Sequence, residues 1–78
     1  MTPEIFHNRA MALAQQKRLA EAVAAFDQAL RLNPAYGEAH HNRGVVLHML
    51  GRTEDAIASY ERALRVRPGQ LDPKHAQA

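Results

Sequence analysis

The tripeptide His-Asn-Arg occurs twice in this chain, at residues 7–9 and again at 41–43, 34 positions later. Asparagine is the member with the most versatile chemistry. Its side-chain amide both donates and accepts hydrogen bonds, so it can pair with a peptide backbone whatever that peptide's sequence. Asn8 and Asn42 at matching places would form two rungs of a ladder for an extended chain. The same amides could instead tie neighbouring helices together, or simply be solvated. The histidines invite a metal reading, which their spacing does not support. On one helix, His41 and His48 lie about 10 Å apart, too far to share an ion. His40 and His41 are adjacent and point in different directions. His40 reads as a residue packed at a helix contact.

Other chemistries find less support. The chain has no cysteine, hence no disulfide, thiolate metal site or cysteine nucleophile. Its one serine, Ser59, falls within a helical pattern among charged neighbours, with no base arranged to activate it. There is no glycine-rich phosphate loop. The expectation is therefore no enzyme, no cofactor and no metal. A formal charge of +2 is small, and the charges interleave. Arg62 and Arg65 share a helical segment with Glu54, Asp55 and Glu61, which reads as an ion-paired surface rather than a nucleic-acid stripe. No apolar run approaches the roughly 20 residues of a membrane span. The start, Met1-Thr2-Pro3-Glu4, lacks a signal-peptide pattern. The reading is a cytoplasmic protein without nucleic-acid or membrane partners.

The elements that carry these residues follow from the repeat. Residues 3–36 align with 37–70 without a gap. Among the identities are Glu4/Glu38, Leu13/Leu47, Arg18/Arg52, Ala22/Ala56, Ala29/Ala63, Leu30/Leu64 and Pro34/Pro68. A period of this length marks stacked helical units rather than one closed core. Thr2-Pro3-Glu4 reads as a hydroxyl cap, a first-turn proline and an acid at the positive helix end. Apolar spacing predicts helices over roughly 4–16, 20–32, 38–50 and 54–66. Asn33-Pro34 ends the second, Gly51 closes the third, Thr53 caps the fourth, and Pro68-Gly69 breaks the chain again. Lys17 stands where the second copy has Gly51, which predicts a looser first turn. Asp72-Pro73 opens a short fifth helix, a stub over 71–78. Ala10, Gly44, Ala22 and Ala56 are small residues that let paired helices approach closely, with Phe26 and Tyr60 filling the space beside them.

Leu47, Gly51, Ala56, Tyr60, Ala63, Leu64 and Pro68, with Leu13, Ala22, Phe26, Ala29, Leu30 and Pro34 before them, resemble the tetratricopeptide repeat (TPR). The large aromatic usual early in the first helix is Phe6 in one copy and His40 in the other. The resemblance implies an all-α helix-turn-helix solenoid: two antiparallel helix pairs, at 3–36 and 37–70, forming a single domain over 1–78. It also implies that the first helix of each pair lines a concave groove that binds an extended peptide or protein segment. On that face lie Glu4, His7, Asn8, Met11 and Gln15, matched by Glu38, His41, Asn42, Val45, His48 and Met49. The string His41-Asn42-Arg43-Gly44 is similar to the asparagine-bearing repeats of the O-linked N-acetylglucosamine (O-GlcNAc) transferase superhelix. Family members that hold chaperone carboxylates use groove lysines and arginines. Here Glu4 and Glu38 are acidic. Met11, Val45 and Met49 suggest an adaptable apolar strip, although Val45 fits an inter-repeat core equally well.

Two repeats are few, because each unit covers its neighbour's apolar face. Ile57, Tyr60 and Leu64 end the stack and call for cover. The chain could be a segment of a longer array, a marginal monomer, or a homo-oligomer that stacks or exchanges helix pairs. Two functions follow: a non-catalytic protein-binding module using the groove, or an assembly unit using its repeat ends. A third reading is the repeat segment of a larger enzyme such as a glycosyltransferase.

Overall fold

The computed structural model describes the backbone of residues 1–71 and the side chains of residues 1–66. Four helices follow one another: α1 (Pro3–Gln15), α2 (Leu19–Leu32), α3 (Gly37–Met49) and α4 (Thr53–Leu71). Each packs on the next, and α1 also touches α3. Two helical hairpins therefore stack, in the all-α arrangement expected. The expected fifth helix over 71–78 lies largely outside the described residues.

The core sits between the hairpins and within each. Ala10, Ala22, Phe26, Ala39 and Leu47 are fully enclosed, and Leu13, Leu19, Leu30, Tyr36 and Tyr60 pack against this cluster. Small side chains dominate because the helix axes approach closely. At Gly44 the approach leaves no room for a side chain. A Cβ there would lie 2.7 Å from Cε1 and 2.8 Å from Cδ1 of Tyr60. The aromatic ring thus lies directly over the glycine.

Both hairpin turns have one geometry, contrary to the looser first turn expected from Lys17. Lys17 adopts φ 66° and Gly51 φ 83°. In the first turn Arg18 N bonds Leu13 O at 2.9 Å and Lys17 N bonds Ala14 O at 3.0 Å. In the second, Arg52 N bonds Leu47 O and Gly51 N bonds His48 O, both at 2.9 Å. This six-to-one plus five-to-two pattern is a Schellman cap. Lysine accepts the left-handed conformation at a local cost, because both hydrogen bonds and the packing of the helix pair hold it there.

The helix starts also differ from expectation. Thr2 stands at the α1 N-cap, but its hydroxyl makes no capping bond. Instead Ile5 N bonds the Thr2 carbonyl at 3.1 Å. Thr53 is the first residue of α4 rather than its cap. Before α2 and α4 stands an arginine whose guanidinium reaches a carboxylate three residues on. Arg18 grips both oxygens of Glu21, and Arg52 contacts Asp55 at 2.7 Å. The arginine clamps the first turn, and the acid faces the positive helix end.

Pro34 and Pro68 occupy equivalent positions but act differently. After α2 the chain turns: Asn33 Oδ1 accepts Ala35 N at 3.1 Å and Tyr36 N bonds Asn33 O at 3.1 Å. This turn lays α3 across α2. By contrast α4 continues through Pro68 and Gly69 to Leu71, correcting the predicted break. Proline removes one helical hydrogen bond and crowds the preceding turn, a penalty rather than a prohibition.

Candidate functional site

In α1, residues 4, 8, 11 and 15 recur at helical spacing, and 38, 42, 45 and 49 repeat the stripe on α3. Glu4, Asn8, Met11, Gln15, Glu38, Val45 and Met49 are exposed, as are His41 and His48 beside them. The two stripes form the candidate binding face. It is apolar at Met11 and Val45 in its interior and at Met49 at one end. Val45 is exposed while its neighbour Val46 is buried, so Val46 and not Val45 belongs to the core.

The two asparagines, equivalent in sequence, are not equivalent in space. Asn42 is half-buried, and its Nδ2–H donates to His7 Nε2 at 3.0 Å. This is a tie between α1 and α3. Asn8 is exposed and makes no side-chain hydrogen bond with the described residues. His7 itself is buried, edge-on to Phe26 at 5.7 Å between ring centroids and tilted on Tyr36 at 5.2 Å. Burial, then the nearby charges of Glu4 and then Glu38, push the Tyr36 phenol above its ordinary value of 10.0. The phenol stands at the end of the face where the two glutamates lie. His40 packs at a helix contact, as its position suggested. Its Nε2–H donates 2.8 Å to the Pro34 carbonyl, and its Nδ1 is buried without a partner.

A second set of residues was not legible in the sequence. Arg43, on α3, reaches back to Asp27 of α2 and outward to Ser59 of α4, each at 2.7 Å. One guanidinium thus joins three helices. Ser59 is buried, not on a charged surface as its neighbours suggested. A clue existed: Arg9 and Arg43 are equivalent, but Ser59 replaces Ala25. Close by, a concavity of about 410 Å³ opens between α2, α3 and α4, lined in part by Leu30, Pro34, Arg62, Arg65 and Val66. Among the described residues Arg62 and Arg65 form no ion pair, correcting the expected ion-paired surface. None of the stripe residues contributes to this hollow.

Among the described residues, no three histidine, cysteine or acidic side chains gather where they could hold a metal ion. No helix there is long and apolar enough to cross a membrane. Ile57 and Leu64 are exposed on the outer side of α4. Tyr60 is half-buried, over Gly44 and tilted on His41 at 5.5 Å.

The stacked hairpins, the repeat period and the turn geometry define a helical repeat protein. The tetratricopeptide-repeat family model matches residues 7–76, and the chain belongs to that family. No curated protein matches it closely enough to be reported as a relative. Members of this family are generally protein–protein interaction modules and typically non-catalytic.

Proposed function

We propose that this chain is a non-catalytic interaction module that takes an extended protein segment along the α1–α3 face. The observation carrying this reading is the matched pair of stripes, exposed apart from Asn42, with the apolar pair Met11 and Val45 in their interior. Apolar residues left exposed at equivalent positions of two packed helices are typical of a contact surface. Methionine's flexible thioether adapts to varied side chains. Asn8 offers a free amide for a ligand backbone, while Asn42 and His7 supply the rigidity that holds α1 and α3 in place. Glu4 and Glu38 favour a ligand bearing a basic residue near that end.

The test is selection from a displayed random-peptide library, followed by mapping of the selected peptides by NMR shift perturbation. Shifts should cluster on residues 4, 8, 11 and 15 and on 38, 42, 45 and 49. Combining Met11→Lys with Val45→Lys should weaken binding by about tenfold or more, since both side chains are exposed and the fold is spared. Peptides that map to α2 or α4, or that bind the double variant equally well, would refute the proposal.

A further inference from the structure

The described residues contain one junction between repeats, and the 34-residue register places a copy of each side of that junction on the outward face of α1 or of α4. Equivalent positions occupy the same place on their own hairpins. A difference in their exposure therefore measures what the neighbouring repeat covers. On the α2 side of the junction Val23 is 9 % exposed, whereas its copy Ile57 is 49 % exposed. Leu30 packs against the core, whereas its copy Leu64 is 65 % exposed. On the α3 side Ala39 is fully buried, whereas its copy Ile5 is 54 % exposed. The two ends present apolar surface at the positions that the internal junction covers.

The polar contacts repeat the pattern. Two side-chain pairs tie the repeats: Arg43 with Asp27, and Asn42 with His7. Moving each by one repeat gives Arg9 and Asn8 at the α1 end, and Glu61 and His41 at the opposite end. The types are retained, with glutamate for aspartate. All four copies are exposed, and Arg9 and Glu61 form no ion pair with the described residues. Each end thus carries one half of both ties.

We propose that the α3–α4 end of one copy docks on the α1–α2 end of a second copy in the register of the internal junction. Arg9 of the second copy pairs with Glu61 of the first, and Asn8 with His41. Ile57 and Leu64 are covered by the Ile5 side of α1. The contact joins unlike surfaces, so it leaves one free end of each kind and propagates into longer stacks. This goes beyond groove binding and requires no ligand.

Charge reversal tests it, read by sedimentation velocity of the 78-residue chain from micromolar to millimolar concentration. The wild-type mass should rise with concentration. Arg9→Glu and Glu61→Arg should each weaken association by about tenfold or more, because like charges then face each other. An equimolar mixture of the two variants should regain association, as should the double variant R9E/E61R, since both restore opposite charges. Circular dichroism melts check that the variants remain folded. A wild-type chain that stays monomeric at millimolar concentration would overturn the proposal. So would single variants that associate like the wild type, as expected of helix-pair exchange, or a mixture that fails to recover.

Discussion

Replacing Arg43 with methionine removes the guanidinium that joins α2, α3 and α4 but keeps most of its apolar stem. Two interactions are lost. The Asp27 carboxylate lies 2.7 Å away, but the side chains of Arg43 and Asp27 are 24 % and 42 % exposed. Solvent screens such a pair, so about 0.5–1 kcal/mol is appropriate despite the short distance. The bond to Ser59 Oγ is better protected, because Ser59 is 1 % exposed. A hydrogen bond to a charged donor contributes about 1.5–3 kcal/mol. The serine hydroxyl can recover part of this by donating to a carbonyl of its own helix, leaving a loss of about 1 kcal/mol. The total is about 2 kcal/mol, which for a domain of this size lowers Tm by roughly 8–16 °C. The assay is urea unfolding followed by far-UV circular dichroism, at a concentration where the chain is monomeric. Asp27→Asn alone should cost about 0.5–1 kcal/mol, less at high salt, and nothing further in the Arg43→Met background. A cost below about 0.5 kcal/mol for Arg43→Met, or an undiminished Asp27→Asn effect in that background, would refute the account of Arg43 as a three-helix tie.

Other perturbations test separate features. Gly44→Ala gains up to about 1 kcal/mol of helix propensity but forces the Tyr60 ring aside at about 1–3 kcal/mol, so a net loss is expected. In a Tyr60→Leu background the same change should become neutral or stabilising, measured by the same unfolding assay. Lys17→Gly should stabilise by about 0.5–1 kcal/mol, because glycine avoids the left-handed penalty but loses more entropy on folding. Gly51→Ala should destabilise by about 1 kcal/mol, although nothing lies within 4 Å of the added methyl group. Tyrosinate absorbance of a Tyr60→Phe variant should report Tyr36 ionising above its ordinary value. The folded state then holds the proton more tightly, so above about pH 10 the unfolded state deprotonates first and stability falls as pH rises. A Tyr36 titration indistinguishable from an unfolded control would refute the burial argument.

Much of the architecture was legible because the signals are local and repeated. The apolar stripe of 22, 23, 26, 29 and 30 is a property of one helix turn after another. Asn33-Pro34 and Leu50-Gly51 end helices through the conformational limits of their own residues. The second copy confirms each boundary to within a residue or so, apart from the far end of α4. Where local reading failed, the outcome depended on context. Lys17 is a poor left-handed residue by itself, yet the hairpin holds it in the same conformation as Gly51. Thr53 resembles a cap, yet α4 begins at it, and the clamp comes from Arg52 and Asp55. Pro68 resembles a stop, yet only Pro34 stands where the chain turns to build the next helix.

The candidate site divides in the same way. The exposed stripes of α1 and α3 follow from helical periodicity, which places 4, 8, 11 and 15 on one side irrespective of what the other helices do. By itself, the sequence therefore determined the repeat, the helix pairs and which residues share one side of α1 and of α3. Only the tertiary structure decided that Asn42 binds His7 while Asn8 stays free, and that Arg43 finds Asp27 and Ser59. Those pairings join residues 16 to 35 positions apart. Periodicity sets the direction of a side chain from its own helix, but a hydrogen bond depends on the position of a second helix to within a fraction of an ångström. That position is set by packing across the whole stack.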